Sequence, residues 1–390
     1  MAMKPVNLIV ALQGDQEFDR AALLSIAKDA ITYGNIFLHL KGDLDNLNQV
    51  VETVSASGLI VSTTDTPLIK RIAALQLPCV NIANLVQMHH LAPVVGNDEP
   101  AIGRVAAEYF LDRGFKNFAF FAESANWYFY ARRDGFDTAV RKAGFECHLP
   151  PAAMRHDTDF ADALETMVEQ PRAAKWLSSL PKPVALFCPY DGYAREAIYA
   201  CKLADLKVPE AVSVIGVDND PVLCTSISPP IASVPTSATQ IGSAALHLVL
   251  DLLHGKKPPR EPIAFAPGDV VVRGSCSELA IEDGDVAAAV SFIRTNFRER
   301  LSVDTVADYV TISRRSLERK FLQSLQRSPH DEIVRARVEH AKKLLSGSDL
   351  PLSEVARRSG MIRVQRLSYL LKQQTGLTPM QYRHRFGTEQ

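Results

Sequence analysis

The sequence predicts two α/β lobes followed by an all-α domain with two helix-turn-helix motifs. Three observations predict it. Short apolar runs alternate with segments of helical periodicity from Val6 to about Val217, the alternation gives way near residue 278 to helical patterning alone, and a small unit then occurs twice about 50 residues apart. At 390 residues the chain is longer than one hydrophobic core serves. With 47% hydrophobic and 22% charged residues it is neither disordered nor fibrous. The formal net charge of −1 hides a split: Val286–Gln390 holds 19 Lys/Arg against 10 Asp/Glu, a net of +9, and the remainder carries −10. An acidic body with a basic module points to a polyanionic partner for the module.

The runs Val6–Leu12, Asn35–Leu40, Gly58–Ser62, Pro78–Ile82, Phe118–Ala122, Val184–Cys188 and Val212–Val217 are nearly continuous apolar stretches, suited to strands buried on both faces. Helical patterns separate them at Asp19–Tyr33, Glu99–Arg113, Arg132–Ala143 and Gly192–Ala204. After Ile231–Thr236 a helical stretch runs from Ser237 to His254, followed by a basic turn and a β-rich run from Ile263 to Arg273. So much α/β structure exceeds one sheet, and the expected division is a body at 4–277 with lobe 1 at about 4–117 and 236–262, and lobe 2 at about 118–235 and 263–277. The acidic stretch 278–286 reads as a linker, and 287–390 as the helical domain.

The chain opens directly on a strand-like segment without the apolar core of a signal peptide, and no apolar run approaches the roughly 18 residues of a membrane span. The six cysteines are scattered without CxxC spacing, as expected of reduced packing residues in a cytoplasmic protein. His89-His90 has no third ligand nearby, so no metal site is expected. No Gly-x-Ser-x-Gly elbow, P-loop or Gly-x-Gly-x-x-Gly turn follows a predicted strand, so neither catalytic residues nor a cofactor are expected.

In open α/β sheets ligands lie beyond the carboxyl ends of the strands. The candidate ligand-binding residues are therefore Asp15, Phe18, Asp19, Trp127 beside Asn126, Arg132, Tyr190, Asp191, Asp218 and Asn219. Acids and a guanidinium bind hydroxyls, and an aromatic face covers the C–H side of a sugar. Asp191 could equally cap the helix it precedes, and Arg133 reads as a solvated neighbour of Arg132.

In the tail, Leu301–Ala307 is echoed by Leu350–Ala356, with Val306 and Val355 49 residues apart. Each unit reads as a short helix opened by a polar residue (Ser302 or Asp304, and Ser353), a turn and a second helix, with a joining helix around Pro329–Leu345.

Several stretches carry a resemblance. Val95–Asp98 with Gly103 and Arg113–Phe115, Arg132–Phe136, Val214–Asn219, and Pro229-Pro230 through Gly242 occur in the order of the sugar-binding domain of LacI-type repressors and periplasmic binding proteins, and the body resembles that family. The resemblance implies that Arg132 and Asp218 contact an effector. Val355-Ala356, Gly360, Lys372, Thr375-Gly376, Thr378-Pro379, Tyr382-Arg383 and the stretch Ile312–Phe321 resemble the AraC-type DNA-binding domain. Four positions depart from that pattern: Met361, Arg366-Leu367 and Leu371 stand where aromatics are usual. Two recognition helices on one support enter successive major grooves about 34 Å apart. The expected base readers are Ser313, Arg314, Arg315, Ser316, Glu318 and Arg319 in the first helix, and Arg363, Gln365, Arg366 and Tyr369 in the second. Lys320, Lys342, Lys343, Lys372 and Arg383 are expected to neutralise phosphates or lie over the core. The order of the two modules resembles the xylose-operon regulators of bacteria. It implies an activator that binds a pentose, D-xylose before others, then operator DNA as a homodimer, and works with RNA polymerase. The same architecture sensing another sugar or sugar acid, a cytosolic sugar-modifying enzyme and a transport receptor are the alternatives.

Overall fold

The computed structural model describes residues 5–12, 16–83, 86–122, 127–151, 170–276, 280–281 and 283–386, with only the backbone of 127, 170 and 384–386. The chain divides into two units, 1–111 with 116–278, and 112–115 with 279–390.

The first unit has two lobes. In lobe 1, β1 (Val6–Ala11), α1 (Glu17–Tyr33), β2 (Ile36–Lys41), α2 (Leu47–Val54), β3 (Gly58–Val61), α3 (Thr66–Ala74) and β4 (Cys79–Asn81) wind a parallel sheet in the order β2-β1-β3-β4. A short strand, β5 (Val95–Asn97), follows. Side chains alternate across a strand, and both faces of β1 are covered: Leu8 and Val10 join one apolar cluster, Ile9 and Ala11 another. That is why the segment reads as continuously apolar.

Lobe 2 contains α4 (Glu99–Leu111), β6 (Asn117–Phe120), α5 (Trp127–Lys142), β7 (Cys147–His148), α6 (Gln170–Ser179), β8 (Val184–Phe187), α7 (Asp191–Leu203), β9 (Val212–Val217), α8 (Pro221–Thr225) and β10 (Ala232–Val234). Its parallel sheet runs β10-β9-β8-β6-β7 around a core in which Phe136 stacks on Phe187 at 5.0 Å. The chain then returns to lobe 1 with α9 (Ala238–Leu253), packed against α1, and β11 (Ile263–Phe265), paired with β5.

The lobe boundaries differ from the sequence expectation. α4 packs along α5, so the first crossing falls beside Asp98 and not near 117. The cause is a close approach at two glycines. A Cβ on Gly103 would collide with the Arg132 carbonyl, and one on Gly135 with the carbonyl of Pro100. β11 likewise stays in lobe 1, and the return crossing follows Phe265. The crossings are stitched together by main-chain and short side-chain bonds. Asp98 N–H donates to the Phe265 carbonyl at 2.8 Å, Gly268 N–H to Pro235 at 3.1 Å, and the Ser237 hydroxyl to Ala266 at 2.7 Å.

The second unit contains α10 (Gly284–Asn296), α11 (Val303–Tyr309), α12 (Arg314–Leu325), α13 (Pro329–Gly347), α14 (Leu352–Arg358), α15 (Val364–Thr375) and α16 (Pro379–Phe386). The expected acidic linker ends inside this fold: Asp283 caps α10, accepting from the N–H groups of Asp285 and Val286 at 3.0 and 3.2 Å. Ser302 caps α11 through Thr305 N–H at 3.0 Å, whereas Asp304 lies within that helix. Ser353 caps nothing, because it lies in the first turn of α14, where Pro351 takes the cap position. α13, opened by a Ser328–Asp331 capping box, serves both repeats. Its Ile333 packs with Leu317 and Phe321 of the first, and its Val338, Ala341 and Leu345 with Leu367 and Leu371 of the second. Met361 and Leu371 are buried and fill the positions where the resemblance has aromatics. The turns match as well: Thr311 (φ 58°) and Gly360 (φ 69°) are both left-handed, but only Gly360 lies so close to the Phe297 carbonyl that no Cβ fits.

Candidate functional site

The first unit gathers polar groups where its strands end. α5 presents Arg132, buried at 4% exposure. Its Nε donates to Glu99 Oε2 at 2.5 Å and its Nη1 to the Pro189 carbonyl at 2.5 Å, while its guanidinium lies 5.3 Å from the Tyr128 ring centroid. Burial opposes the charge on Arg132, but Glu99 and Asp218 outweigh it and hold the guanidinium protonated. Asp218 follows β9 and is raised to about 6, by desolvation first; Arg132 opposes the rise, and Glu99, Asp220 and Asp19 add to it. Asp19 of α1 is itself buried. The structure thus brings together Arg132, Asp218 and Asp19 from the sequence candidates, and adds Glu99 and Tyr128.

The loop after β9 has an unusual backbone. Asp218 (φ 95°) and Asn219 (φ 57°) are successive left-handed residues, a conformation that Asp and Asn adopt more readily than most. The next residue, Asp220, caps α8 through the N–H groups of Val222 and Leu223 at 2.7 and 3.0 Å. Its other oxygen accepts from Arg20 of α1 at 2.8 Å, an ion pair spanning the two lobes.

Two candidates hold this loop in shape. Asp191 is fully buried, and its Oδ2 accepts from the Asp220 N–H at 2.8 Å and the Cys224 thiol at 3.3 Å. Loss of water raises its carboxyl to about 7. It is the first residue of α7 rather than its cap, which is Tyr190. The Asn219 amide oxygen accepts from Arg273 at 2.7 Å, and its N–H donates to the Ser233 hydroxyl at 2.9 Å. Phe18 and Tyr190 are part-buried. Trp127 starts α5, but its side chain lies outside the described residues, as do Asp15 and Asn126. Arg133 is paired with its neighbour Asp134 at 2.7 Å.

Glu99, Tyr128, Arg20, Asp220 and Arg273 escape sequence reasoning. Arg273 ends the run expected to be β-rich, and Asp220 precedes a proline at a helix start, the one signal available for either.

In the second unit, Ser313 caps α12 through Ser316 N–H at 3.2 Å. Arg314 is drawn to Glu318 at 2.9 Å and Asp304 at 3.3 Å, whereas Arg315 and Arg319 are exposed. On α15, Gln365 is exposed and Arg366 lies 5.9 Å from the ring of Tyr369, itself 60% exposed; Arg363 precedes the helix and is also exposed. Lys320 departs from expectation. Its ammonium binds Asp283 at 2.8 Å and Asp285 at 2.7 Å, which raise its pKa, so it locks α12 to the start of α10. Lys342 pairs with Glu339 at 3.1 Å, and Arg383 donates to the Leu350 carbonyl. Among the described residues no cluster of His, Cys, Asp or Glu could hold a metal ion, and no helix is long and apolar enough to cross a membrane.

Residues 107–276 match a periplasmic binding protein-like domain and residues 306–385 a helix-turn-helix domain. Together they define a transcriptional regulator, not an enzyme: a DNA-binding module placed after a ligand-binding body. More particularly, the chain is similar to proteins named as xylose operon regulatory proteins. It is 25% identical to that of Haemophilus influenzae over 345 residues, 87% of each chain. With that of Escherichia coli K12 it shares 27% over 340 residues, 84% of this chain and 83% of the other. A solved structure of a xylose-binding transcription activator aligns over 100% of both chains with a TM-score of 0.62 at 22% identity, a likeness of fold.

Proposed function

We propose that the regulator binds a pentose, D-xylose, between the lobes of its first unit. It then binds operator DNA as a homodimer and activates transcription with RNA polymerase in the cytoplasm. The observation that carries the ligand reading is the buried Arg132–Glu99 pair with Asp218 and Asp19 beside it and the Tyr128 ring against the guanidinium. Carboxylates accept hydroxyl protons, the guanidinium donates to ring or hydroxyl oxygens, and aromatic side chains cover C–H faces. Phe18, Tyr190, Trp127 and Asp15 complete the proposed lining, while Asp191 and Asn219 hold the loop that carries Asp218. The Haemophilus and Escherichia relatives named for the xylose operon support the choice of sugar.

Ligand shifts the lobes only by its differential affinity for their arrangements. The stitched crossings supply the pivot, and the Arg20–Asp220 pair spans the gap that a ligand bridges. In the second unit, Arg315 and Arg319 of α12 and Arg363, Gln365 and Arg366 of the second repeat are the proposed base readers, with Ser313 and Ser316 shaping the helix start. Arg314, Glu318 and Tyr369 orient their neighbours. Arg reads guanine and Gln adenine by paired hydrogen bonds.

The test is a titration of the full chain with D-xylose, L-arabinose, D-ribose, D-glucose and D-glucuronate, followed by tryptophan emission. A saturable change with D-xylose is expected, weakened at least about 30-fold in Arg132→Gln, the loss that follows from removing one member of a buried charge pair. Saturation by another sugar alone replaces the effector, and no response to any sugar refutes the sugar reading.

A further inference from the structure

The two repeats of the second unit place a left-handed residue at the same point of their turns, Thr311 and Gly360, 49 residues apart. The first turn accommodates a β-branched side chain there. The second does not, and the obstacle lies outside the turn. A Cβ on Gly360 would collide with the Phe297 carbonyl and stand 3.0 Å from Arg298 Cα and 3.1 Å from Arg337 Nε. Phe297 and Arg298 belong to the segment between α10 and α11. The chain leading into the first repeat therefore lies directly against the turn of the second.

Two side chains of the shared helix α13 fasten this contact. Arg337 donates from Nε to the Phe297 carbonyl at 2.9 Å and from Nη2 to the Glu299 carbonyl at 2.9 Å. The ring of His340 lies 5.1 Å from that of Phe297, with Nε2 2.9 Å from Arg298 Nη2 and Nδ1 3.3 Å from the Ser359 hydroxyl. A guanidinium only donates, so Nε2 accepts, and the ring proton sits on Nδ1 and is donated to Ser359. Burial first, then the Arg298 and Lys343 charges, lowers the His340 pKa and favours this neutral form. Ser359 is itself fully buried, beside Gly360 in the turn of the second repeat. The bonds thus run from the approach to the first repeat, through α13, to the turn of the second. The apolar clusters of the two repeats share no residue among those described, so side-chain packing ties each repeat to α13 separately.

We propose that Arg298, Arg337 and His340 form a clamp that fixes the angle between the two repeats, and thereby the spacing of the two DNA segments that the protein accepts. All three are positioning residues, since none belongs to either recognition helix, α12 or α15. The shared helix sets how far apart the repeats lie, and the bridge between them sets their rotation about it. That rotation matters because one base pair of B-DNA is about 3.4 Å of rise and about a tenth of a turn. A fixed angle selects the spacing to the base pair, and a loose one accepts its neighbours. The proposal rests on the reading that α12 and α15 both enter the major groove.

The test uses the full chain and a DNA duplex that the wild-type protein enriches from a random-sequence library, with the contacted segments located by methylation interference. Two further duplexes have one base pair added or removed between those segments. The readout is the dissociation constant on each altered duplex divided by that on the original. Wild type is expected to lose at least about tenfold with either change, because rigidly linked modules lose their joint advantage when one site is displaced. In Arg298→Ala and in Arg337→Gln the ratio is expected to fall to within about threefold of 1. Arg298 is exposed, so its truncation should leave a folded protein even if Arg337→Gln does not. Loss of a phosphate contact, or of stability alone, would weaken binding to all three duplexes alike and leave the ratio as in wild type. A wild-type ratio in either folded variant therefore overturns the clamp while the two-helix reading stands. A single contacted segment, or a wild-type protein indifferent to spacing, overturns the two-helix reading and the clamp with it.

Discussion

Asp191→Asn should stabilise the first unit at pH 8 far more than at pH 4. In the folded protein the Asp191 carboxyl is raised from 3.8 to about 7, first by loss of water and further by the Asp218 carboxylate, against the opposing bonds from Ser233, the Asp220 N–H and Cys224. A raised acid favours the folded state while it is protonated. Its contribution is complete below the unfolded value near 4 and is lost as pH climbs through about 7. Three pKa units at about 1.4 kcal/mol each give a difference of about 4 kcal/mol between the ends of that window. An asparagine side chain carries no such charge, yet its amide oxygen can still accept the Asp220 N–H. The gap in stability between the Asp191→Asn variant and wild type should therefore open steadily from pH 4 to pH 8 and level off above it. Urea unfolding at intervals of pH, followed by tryptophan emission, measures it, because Trp127 and Trp176 both belong to the first unit. A gap independent of pH would mean that Asp191 stays ionised when folded, and the argument from burial would fail.

Gly103→Ala should destabilise the first unit by the upper part of the roughly 1–3 kcal/mol seen for overpacking, and should weaken ligand binding with it, since the new methyl meets the backbone of Arg132 itself. Thermal unfolding and sugar titration of the same preparation check both effects. In the second unit, Lys320→Ala should leave the salt dependence of DNA binding as it is, because that ammonium is already taken by Asp283 and Asp285. Arg315→Ala should flatten the slope by about one unit if its arginine neutralises a phosphate, or relax base preference at one position if it reads a guanine; binding curves at several salt concentrations on matched and mutated duplexes separate the two.

Much of this architecture is legible in the sequence because its causes are local. Val212–Val217 is apolar at every position but Ser213 and Gly216 and becomes β9 with the expected bounds. α13 lies where the spacing of the two repeats leaves room for it. What is not legible depends on partners distant in the chain. The pattern of residues 99–111 is equally helical whichever lobe receives it, and the choice is made by Gly103 and Gly135 meeting opposing backbones. Glu99 for the same reason looks like an ordinary acid in a first helical turn. Only the packing of α4 on α5 buries it against Arg132. Asp191 and Asn219 lie at strand ends as expected, yet they are turned toward the loop's own N–H groups and Arg273. Lys320 belongs to the recognition helix by sequence, and its partners precede it by 35 and 37 residues.

The charge balance of the site bears on which ligand it suits. Against the single guanidinium of Arg132 stand Glu99, Asp218 and Asp19, and Asp220 adds a fourth carboxylate that Arg20 offsets. The Asp218 carboxyl is raised first by loss of water, and Glu99, Asp220 and Asp19 add to the rise. A ligand bearing its own carboxylate would enter against these acids, and the cost would grow as lobe closure removed water from around the like charges. A neutral polyol meets the opposite situation: its hydroxyls can donate to carboxylates without adding like charge, and those bonds are the stronger for being charge-assisted. Acidic surroundings with one guanidinium and flanking aromatics therefore favour a neutral, hydroxyl-rich molecule over a sugar acid.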